Sequence, residues 1–468
     1  MRAAAATKTV MGMYELVDGE ESGQIGNVSV AGGGGGEELA RMEAGLVDGG
    51  GGGKSLSFAI GGGSRRGEEW GGEKKRRLAS LDVFRGLTVV LMIIVDHLGG
   101  IFPSINHSPW NGVTLADFVM PFFLFMVGVS LTLAYKNLTS KLDATLKALI
   151  RTMKLFGLGL LLQGGYIHSV GDLSYGVDLT KIRWMGILQR IAIAFLLAAL
   201  CEIWLKRPGD IKKEASVFKK YQFQWMFTFA LSAIYLALLY GLYVPDWSYQ
   251  VPSQTDGPLR TYTVHCGVRG DTGPACNAVA MIDRKILGIQ HLYKKPTYAR
   301  TMQCSINSPN YGPLPADAPS WCQGPFDPEG ILSTIMSVVT CVIGLHYGHI
   351  IVHFKDHKVR ILQWMIPSSG FVLMGILLDL TGVHLNKALY SLSYTYLTAG
   401  FAGILFSGLY VLVDVYGFKR PLAVLEWIGK HSLAIFILAA CNIVPVVLQG
   451  VYWREPQNNI LRLIGVKT

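Results

Sequence analysis

Residues 105–114 read Ile-Asn-His-Ser-Pro-Trp-Asn-Gly-Val-Thr, and residues 115–130 continue Leu-Ala-Asp-Phe-Val-Met-Pro-Phe-Phe-Leu-Phe-Met-Val-Gly-Val-Ser. A polar, histidine-bearing turn runs straight into an apolar stretch, and a second apolar run, 83–101, precedes it. About 20 apolar residues cross a bilayer as a helix, so the turn sits where two spans meet water. An imidazole at such a boundary is costly unless it has partners. Partners are close in sequence: Asp96 and His97 before His107, Asn111 and Asp117 after it. The cluster points to chemistry at a membrane surface rather than to anchoring alone.

The rest of the chain agrees with a membrane setting. Of 468 residues, 50% are hydrophobic and 16% charged, with a mean hydropathy of +0.35. Soluble domains carry about 25% charged residues, and the deficit lies after residue 80. Nine runs have spanning length: 83–101, 115–135, 152–170, 184–205, 224–244, 330–352, 362–381, 389–412 and 424–446. The expected fold class is an all-α polytopic membrane protein, a bundle of about nine transmembrane helices. The net charge of +10 comes from basic clusters in alternate loops, such as Lys74–Arg77, Lys136–Arg151 and Lys206–Lys220. The positive-inside rule assigns these loops and the N-terminus to the cytoplasm. Residues 105–114 and 245–329 then face a lumen or the exterior. No basic stripe or stacking platform accompanies the charge, so the expected partner is the lipid bilayer and not nucleic acid.

Residues 1–78 read as a disordered, glycine-rich cytoplasmic tail, 79–448 as the helical bundle, and 449–468 as a short C-terminal tail. No signal peptide is expected near Met1. The run Gly-Gly-Gly-Gly-Gly-Lys-Ser at 49–55 lacks the first glycine and the preceding strand of a P-loop. Four cysteines, Cys266, Cys276, Cys304 and Cys322, share the long luminal loop 245–329. An even number of thiols in an oxidising compartment reads as two disulfides. The pairs 266–276 and 304–322 are the simplest of three arrangements, and they would staple the loop into a cap.

His107 is the candidate general base or nucleophile. Either role needs a neutral imidazole oriented by a neighbour, which Asp96 or Asp117 could supply. Asn111 is a candidate oxyanion donor and Trp110 a candidate acceptor contact, with Asn386 and Lys387 at the start of a late span. Asp82 and Arg85 stand three apart on one helical face; they read either as an anchoring pair or, for Arg85, as an anion attractor. Arg190, in Gly-Ile-Leu-Gln-Arg-Ile (186–191), needs a carboxylate such as Asp82 or Asp117, a carbonyl or a water-filled cavity. Gln189 lies beside it. Asp327, before Pro328, reads as the N-cap of the next helix. No HExxH, no CxxC pair and no GxSxG are present, and no metal is expected.

Several blocks resemble the heparan-α-glucosaminide N-acetyltransferase family. They are Leu-Ala-Ser-Leu-Asp-Val-Phe-Arg-Gly (78–86), His-Ser-Pro-Trp-Asn-Gly and the run that follows (107–130), Gly-Ile-Leu-Gln-Arg-Ile, Ile-Asp-Arg-Lys-Ile-Leu-Gly (282–288), Asp-Pro-Glu-Gly-Ile-Leu (327–332) and Leu-Tyr-Ser-Leu-Ser-Tyr (389–394). The resemblance implies an enzyme that takes acetyl from cytosolic acetyl-CoA, as a co-substrate rather than a bound cofactor, and gives it to a luminal amino-sugar or other glycan acceptor. It implies His107 as the active-site histidine; for such a reaction Arg85, Arg190 and Gln189, read above as polar groups of the spans, are the candidates for binding acetyl-CoA. The chain departs from the family at Asp96, where asparagine is common, and at Gly-Lys-His-Ser (429–432). The implied setting is a vacuolar, lysosomal or other endomembrane, or the plasma membrane, with a homodimer as the oligomer considered. An O-acyltransferase acting on a glycan, a small-molecule transporter and an inactive scaffold are the alternatives.

Overall fold

A computed structural model describes residues 78–99, 102–167, 175–177, 182–206, 219–251 and 260–440. Of the tail expected at 1–78 only Leu78 is described, and the segment 449–468 lies outside the described residues. The helices are α1 (Ala79–Leu98), α2 (Leu115–Ala134), α3 (Lys141–Gly164), α4 (Ile187–Trp204), α5 (Gln222–Gly241), α6 (Ala278–Ile286), α7 (Ile331–His353), α8 (His357–Leu380), α9 (Leu392–Tyr410), α10 (Ala423–Lys430) and α11 (Ser432–Ala440). A π turn, Val411–Val415, extends α9. Two antiparallel hairpins join them: β1 (Gly165–Ile167) with β2 (Tyr175–Val177), and β3 (Trp247–Val251) with β4 (Arg260–Val264).

Among the described residues, six helices are long and apolar enough to span: α2, α4, α5, α7, α8 and α9 with its π turn. The pair α10–α11, bent by 75°, makes a seventh if it is one broken span. The sequence reading of nine is therefore not confirmed among the described residues, and the spans read at 83–101, 152–170 and 424–446 each run partly outside them. The stretches read as spans at 83–101 and 152–170 do contain helices, but α1 carries Asp82, Arg85 and Asp96 and α3 carries Lys147, Arg151 and Lys154. The first half of α1 is packed inside the bundle, with Ser80, Phe84, Thr88 and Val89 fully buried around Asp82, whereas Asp96 near its end is exposed.

The centre of the bundle is the crossing of α2 and α7, made close by glycine. A Cβ on Gly128 would lie 2.0 Å from the carbonyl oxygen of Cys341, and one on Gly344 2.1 Å from that of Phe125. Gly344 and Gly348 form a Gly-x-x-x-Gly face, the spacing that lets helix backbones approach in a membrane. Thr132 Oγ1 donates to the Leu345 carbonyl across the same seam at 2.9 Å. The basic connections meet at the end of the bundle away from residues 105–114. Tyr221 bonds His353 (2.9 Å), His357 bonds Tyr410 (2.7 Å) and Ser80 N donates to Asp414 (3.2 Å).

The opposite end is covered by residues between α5 and α7. The disulfides there are Cys266–Cys276 and Cys304–Cys322, the simplest of the three pairings. Arg284 stacks on Trp247 at 3.9 Å, and Tyr249 stacks on Tyr262 across the hairpin. This cap docks on the 105–114 turn: Trp110 Nε1 donates to the Thr272 carbonyl (3.1 Å), and Arg300 donates to Asn106 Oδ1 (3.2 Å).

Candidate active site

The His107 turn ends where α2 begins, and Asp117 links the two. As the third residue of the helix, Asp117 reaches back to the N–H of Thr114 at 3.0 Å, the acid half of a capping box. The same Oδ2 accepts from Thr114 Oγ1 (3.0 Å) and from Ser108 N (3.1 Å). That leaves Oδ1 for His107, whose Nδ1 lies 2.8 Å away. The carboxylate is fully buried while the imidazole side chain is 30% exposed. One oxygen thus shapes the turn and the other orients the ring, with Nδ1–H donating and Nε2 left as the basic nitrogen.

The backbone of Asp117 is fixed as well. Pro121 sits one turn further on and has no N–H to give to the Asp117 carbonyl. Tyr394 of α9 supplies the missing donor, its hydroxyl 2.5 Å from that oxygen. Tyr394→Phe should leave a buried carbonyl unsatisfied, at a cost of about 1–3 kcal/mol. A lower unfolding midpoint for the purified variant, with reduced turnover, is the expected result; an unchanged midpoint would refute the coupling.

Lys387 completes the group. Its Nζ is 2.9 Å from His107 Nδ1, 3.3 Å from Nε2 and 3.6 Å from Asp117 Oδ1. Burial pushes the imidazole below the ordinary histidine value, and the Lys387 ammonium pushes the same way; the bond to Asp117 and the charges of Asp117 and Asp96 oppose them. Asn386 Nδ2 donates to Asn111 Oδ1 (3.2 Å), and Gly112 N donates to the Leu385 carbonyl (2.8 Å), so the two segments are laced together.

The other sequence candidates are spread out. Asp96, near the end of α1, is exposed and bonded to no group among the described residues, so Asp117 is the acid that orients His107. Trp110 is buried, edge-on to Tyr298 and Phe326, in the packing between cap and bundle. Arg85 lies near the start of α1, donating to Ser130 Oγ (2.9 Å) beside Asp82 (3.7 Å). Arg190 falls in the first turn of α4 and pairs with neither Asp82 nor Asp117. It donates to the Pro328 carbonyl (2.6 Å) and to Ser333 Oγ, with Tyr390 under its guanidinium at 5.3 Å. Gln189 is fully buried, and neither of its amide atoms has a hydrogen-bond partner among the described residues.

Three features were missed in the sequence. The first is a clamp: Arg183 grips Asp327 through two bonds (2.8 and 2.6 Å) and Glu329 through a third (2.5 Å). Burial opposes the guanidinium charge, but the bonds to Asp327 and the charge of Glu329 hold Arg183 above the ordinary arginine value. The second is a correction. Asp327 does not cap α7, which begins at Ile331 after Gly330; the cap comes from Asp283 in α6, whose Oδ1 accepts from Ile331 N at 2.8 Å. The third is a run of two HxxxH spacings, His349–His353 and His353–His357. His349 bonds Glu202 at 2.7 Å and stacks on Tyr221 at 3.5 Å, His353 bonds Tyr221 and His357 bonds Tyr410, so all three are tied into the far end of the bundle.

Asp283 has its own pH consequence. Burial, helped by Asp327, raises its carboxyl to about 7 against the ordinary 3.8. The folded protein then holds a proton that the unfolded chain releases, so this group's contribution to stability is greatest below about pH 4 and falls as pH rises to about 7. Asp283→Asn keeps the acceptor for Ile331 N without the charge. It should be at least as stable as the parent above about pH 7, by on the order of a few kcal/mol at most. Thermal unfolding across pH tests this; parallel profiles for the two proteins would refute it.

Residues 77–211 match the family model described as heparan-alpha-glucosaminide N-acetyltransferase, catalytic. The chain is 32% identical over 362 residues to the heparan-alpha-glucosaminide N-acetyltransferase of Mus musculus and 30% identical over 362 residues to that of Homo sapiens. Each match covers 73% of this chain, and 50% and 49% of the respective relatives. The chain therefore spans about half the length of the curated relatives it matches. His107, Asp117 and the Arg190 turn all fall inside the matched segment 77–211. On these matches the chain belongs to the heparan-alpha-glucosaminide N-acetyltransferase-like family.

Proposed function

We propose that the chain moves an acetyl group from acetyl-CoA on one side of the membrane to the amine of a glucosamine-like sugar on the other. The observation that carries this reading is the half-buried imidazole of His107, held at 2.8 Å by a fully buried carboxylate. Apart from the Lys387 ammonium 3.3 Å away, no hydrogen-bonding group among the described residues approaches its Nε2. A base of this kind deprotonates an attacking amine. The His107 end, under the disulfide cap, faces the lumen of a lysosome, vacuole or related compartment, and the basic end faces the cytosol.

Acetyl-CoA carries phosphates that cannot enter hydrocarbon unaided. Its nucleotide end stays at the cytosolic mouth, where Arg85 lies, and its thioester reaches His107 along the bundle. Arg190 and Gln189, buried beneath the cap, border the last part of that route. Asn111, Asn386 and Lys387 face the acceptor, and Trp110 holds the cap over it.

The test uses membranes carrying the full chain, acetyl-labelled acetyl-CoA, and a panel of amino sugars and amine-free glycans. Label on amino sugars with matching CoA release is expected. Label only on hydroxyl groups makes the protein an O-acyltransferase, and solute flux without CoA release makes it a transporter. No transfer to any acceptor removes the proposal.

A further inference from the structure

We infer that Lys387 is a further catalytic residue: its ammonium, 2.9 and 3.3 Å from the two ring nitrogens of His107, donates the hydrogen bond that receives the oxyanion when the acetyl carbonyl is attacked. The inference rests on the acetyl-transfer reading above.

The geometry is specific. A donor on the in-plane axis of one ring nitrogen would stand far from the other. Two nearly equal distances place Nζ over the face of the ring instead. The in-plane directions are thereby left open, Nδ1–H toward Asp117 and the Nε2 lone pair toward the reactants. A carbonyl carbon within reach of an amine held at Nε2 would have its oxygen close to Nζ. The lysine is also pinned from behind. Its carbonyl accepts from Tyr390 N (3.1 Å), while Asn386 Oδ1 accepts from Leu389 N (2.9 Å) and Asn386 N donates to Ser391 Oγ (3.1 Å). Tyr390 closes this turn at φ +55°, a left-handed conformation rare for a bulky residue and held only where the surroundings demand it. Such conformations cluster at functional sites. The Lys387 side chain is 20% exposed, so its charge is partly desolvated yet open to substrate.

The step balances. The amine nitrogen bonds to the acetyl carbon as His107 Nε2 takes the amine proton, and the carbonyl π pair moves onto oxygen, facing Lys387. Collapse re-forms the carbonyl and breaks the C–S bond, and the proton on His107 passes to the departing CoA sulfur. The charged groups around the ring are Asp117 on α2, Asp96 on α1, Lys387 itself, and Arg300 of the cap through Asn106. Of these, Lys387 is the cation that disfavours imidazolium before the amine arrives.

The experiment compares Lys387→Met and Lys387→Arg with the parent in membranes, using acetyl-CoA and the acceptor found active. K387M should lose about 10²–10³-fold in kcat, the usual cost of one oxyanion donor, with the KM for acetyl-CoA unchanged. Its acid limb of kcat/KM should move to higher pH, because the imidazole has lost a cationic neighbour. K387R should keep the parent's acid limb and recover part of kcat. A K387M that retains parental kcat and pH profile, or that changes only KM, overturns the inference. Should K387M fail to accumulate, K387Q replaces it, and a defect confined to folded yield in every variant also overturns it. His107→Ala is run alongside: an inactive H107A beside a fully active K387M removes Lys387 alone. An active H107A, or a parent that transfers nothing, removes the acetyl-transfer reading itself.

Discussion

His107→Ala should lower CoA-dependent acetyl transfer by about 10²–10⁴-fold, the range that a positioned general base supplies. Asp117→Asn should fall in the same range, for a different reason. An amide can still hold the turn through its oxygen, but it can present its NH₂ group to Nδ1 and favour the tautomer with the proton on Nε2, where a base is needed. The two variants separate by structure: His107 is 30% exposed and its loss leaves the Asp117 cap intact, so H107A should reach the membrane at parental levels. The parent's acid limb should lie below the ordinary histidine value, since burial and Lys387 both favour the neutral ring. Activity is then present above the folded pKa and lost as pH falls through it. Turnover by H107A equal to the parent's, or an acid limb above the ordinary histidine value, would contradict the assignment.

The second large effect is structural. Gly344→Leu puts a Cβ where only 2.1 Å separates it from the Phe125 carbonyl oxygen, and further contacts are backbone atoms of the same residue. No rotamer change relieves a clash at Cβ, so α2 and α7 must separate. Ordinary overpacking costs about 1–3 kcal/mol; a clash against backbone at the main crossing should exceed that. The matching substitution Gly128→Leu meets Cys341 O at 2.0 Å and should behave alike. Gly241→Leu serves as the control, because nothing lies within 4 Å of its Cβ direction. Folded yield in detergent, by size exclusion, is the measurement. Normal yield for G344L would mean the two helices are not packed as described.

How much of this was legible in the sequence depends on distance along the chain. His107 and Asp117 are ten residues apart, and the polar turn between apolar runs brings them together in any helical reading. The two disulfides were legible because four thiols share one loop. Lys387 could be flagged as polar and luminal, but its approach to His107 spans 280 residues, and no local period records it. Arg183 and Asp327, 144 residues apart, are hidden for the same reason. The Asp327 misreading shows what competes with local rules. Asp-Pro is a sound helix start, yet the carboxylate was already taken by Arg183, and the helix began three residues later under a remote cap. The span count stays unconfirmed among the described residues where charge and burial coexist. The charges of α1 argue against a lipid-facing helix, and only the packing reveals that its first half is buried while Asp96 near its end is exposed.

Pro121 has a wider effect than a local interruption. By withholding one amide, it opens a socket on α2 that only a neighbouring helix can plug, and Tyr394 plugs it. The acid behind the imidazole is thus tethered mechanically to the segment that follows the Lys387 turn. Any sliding of that segment would drag the imidazole's acid and the Lys387 cation together, preserving their spacing while the surrounding bundle shifts.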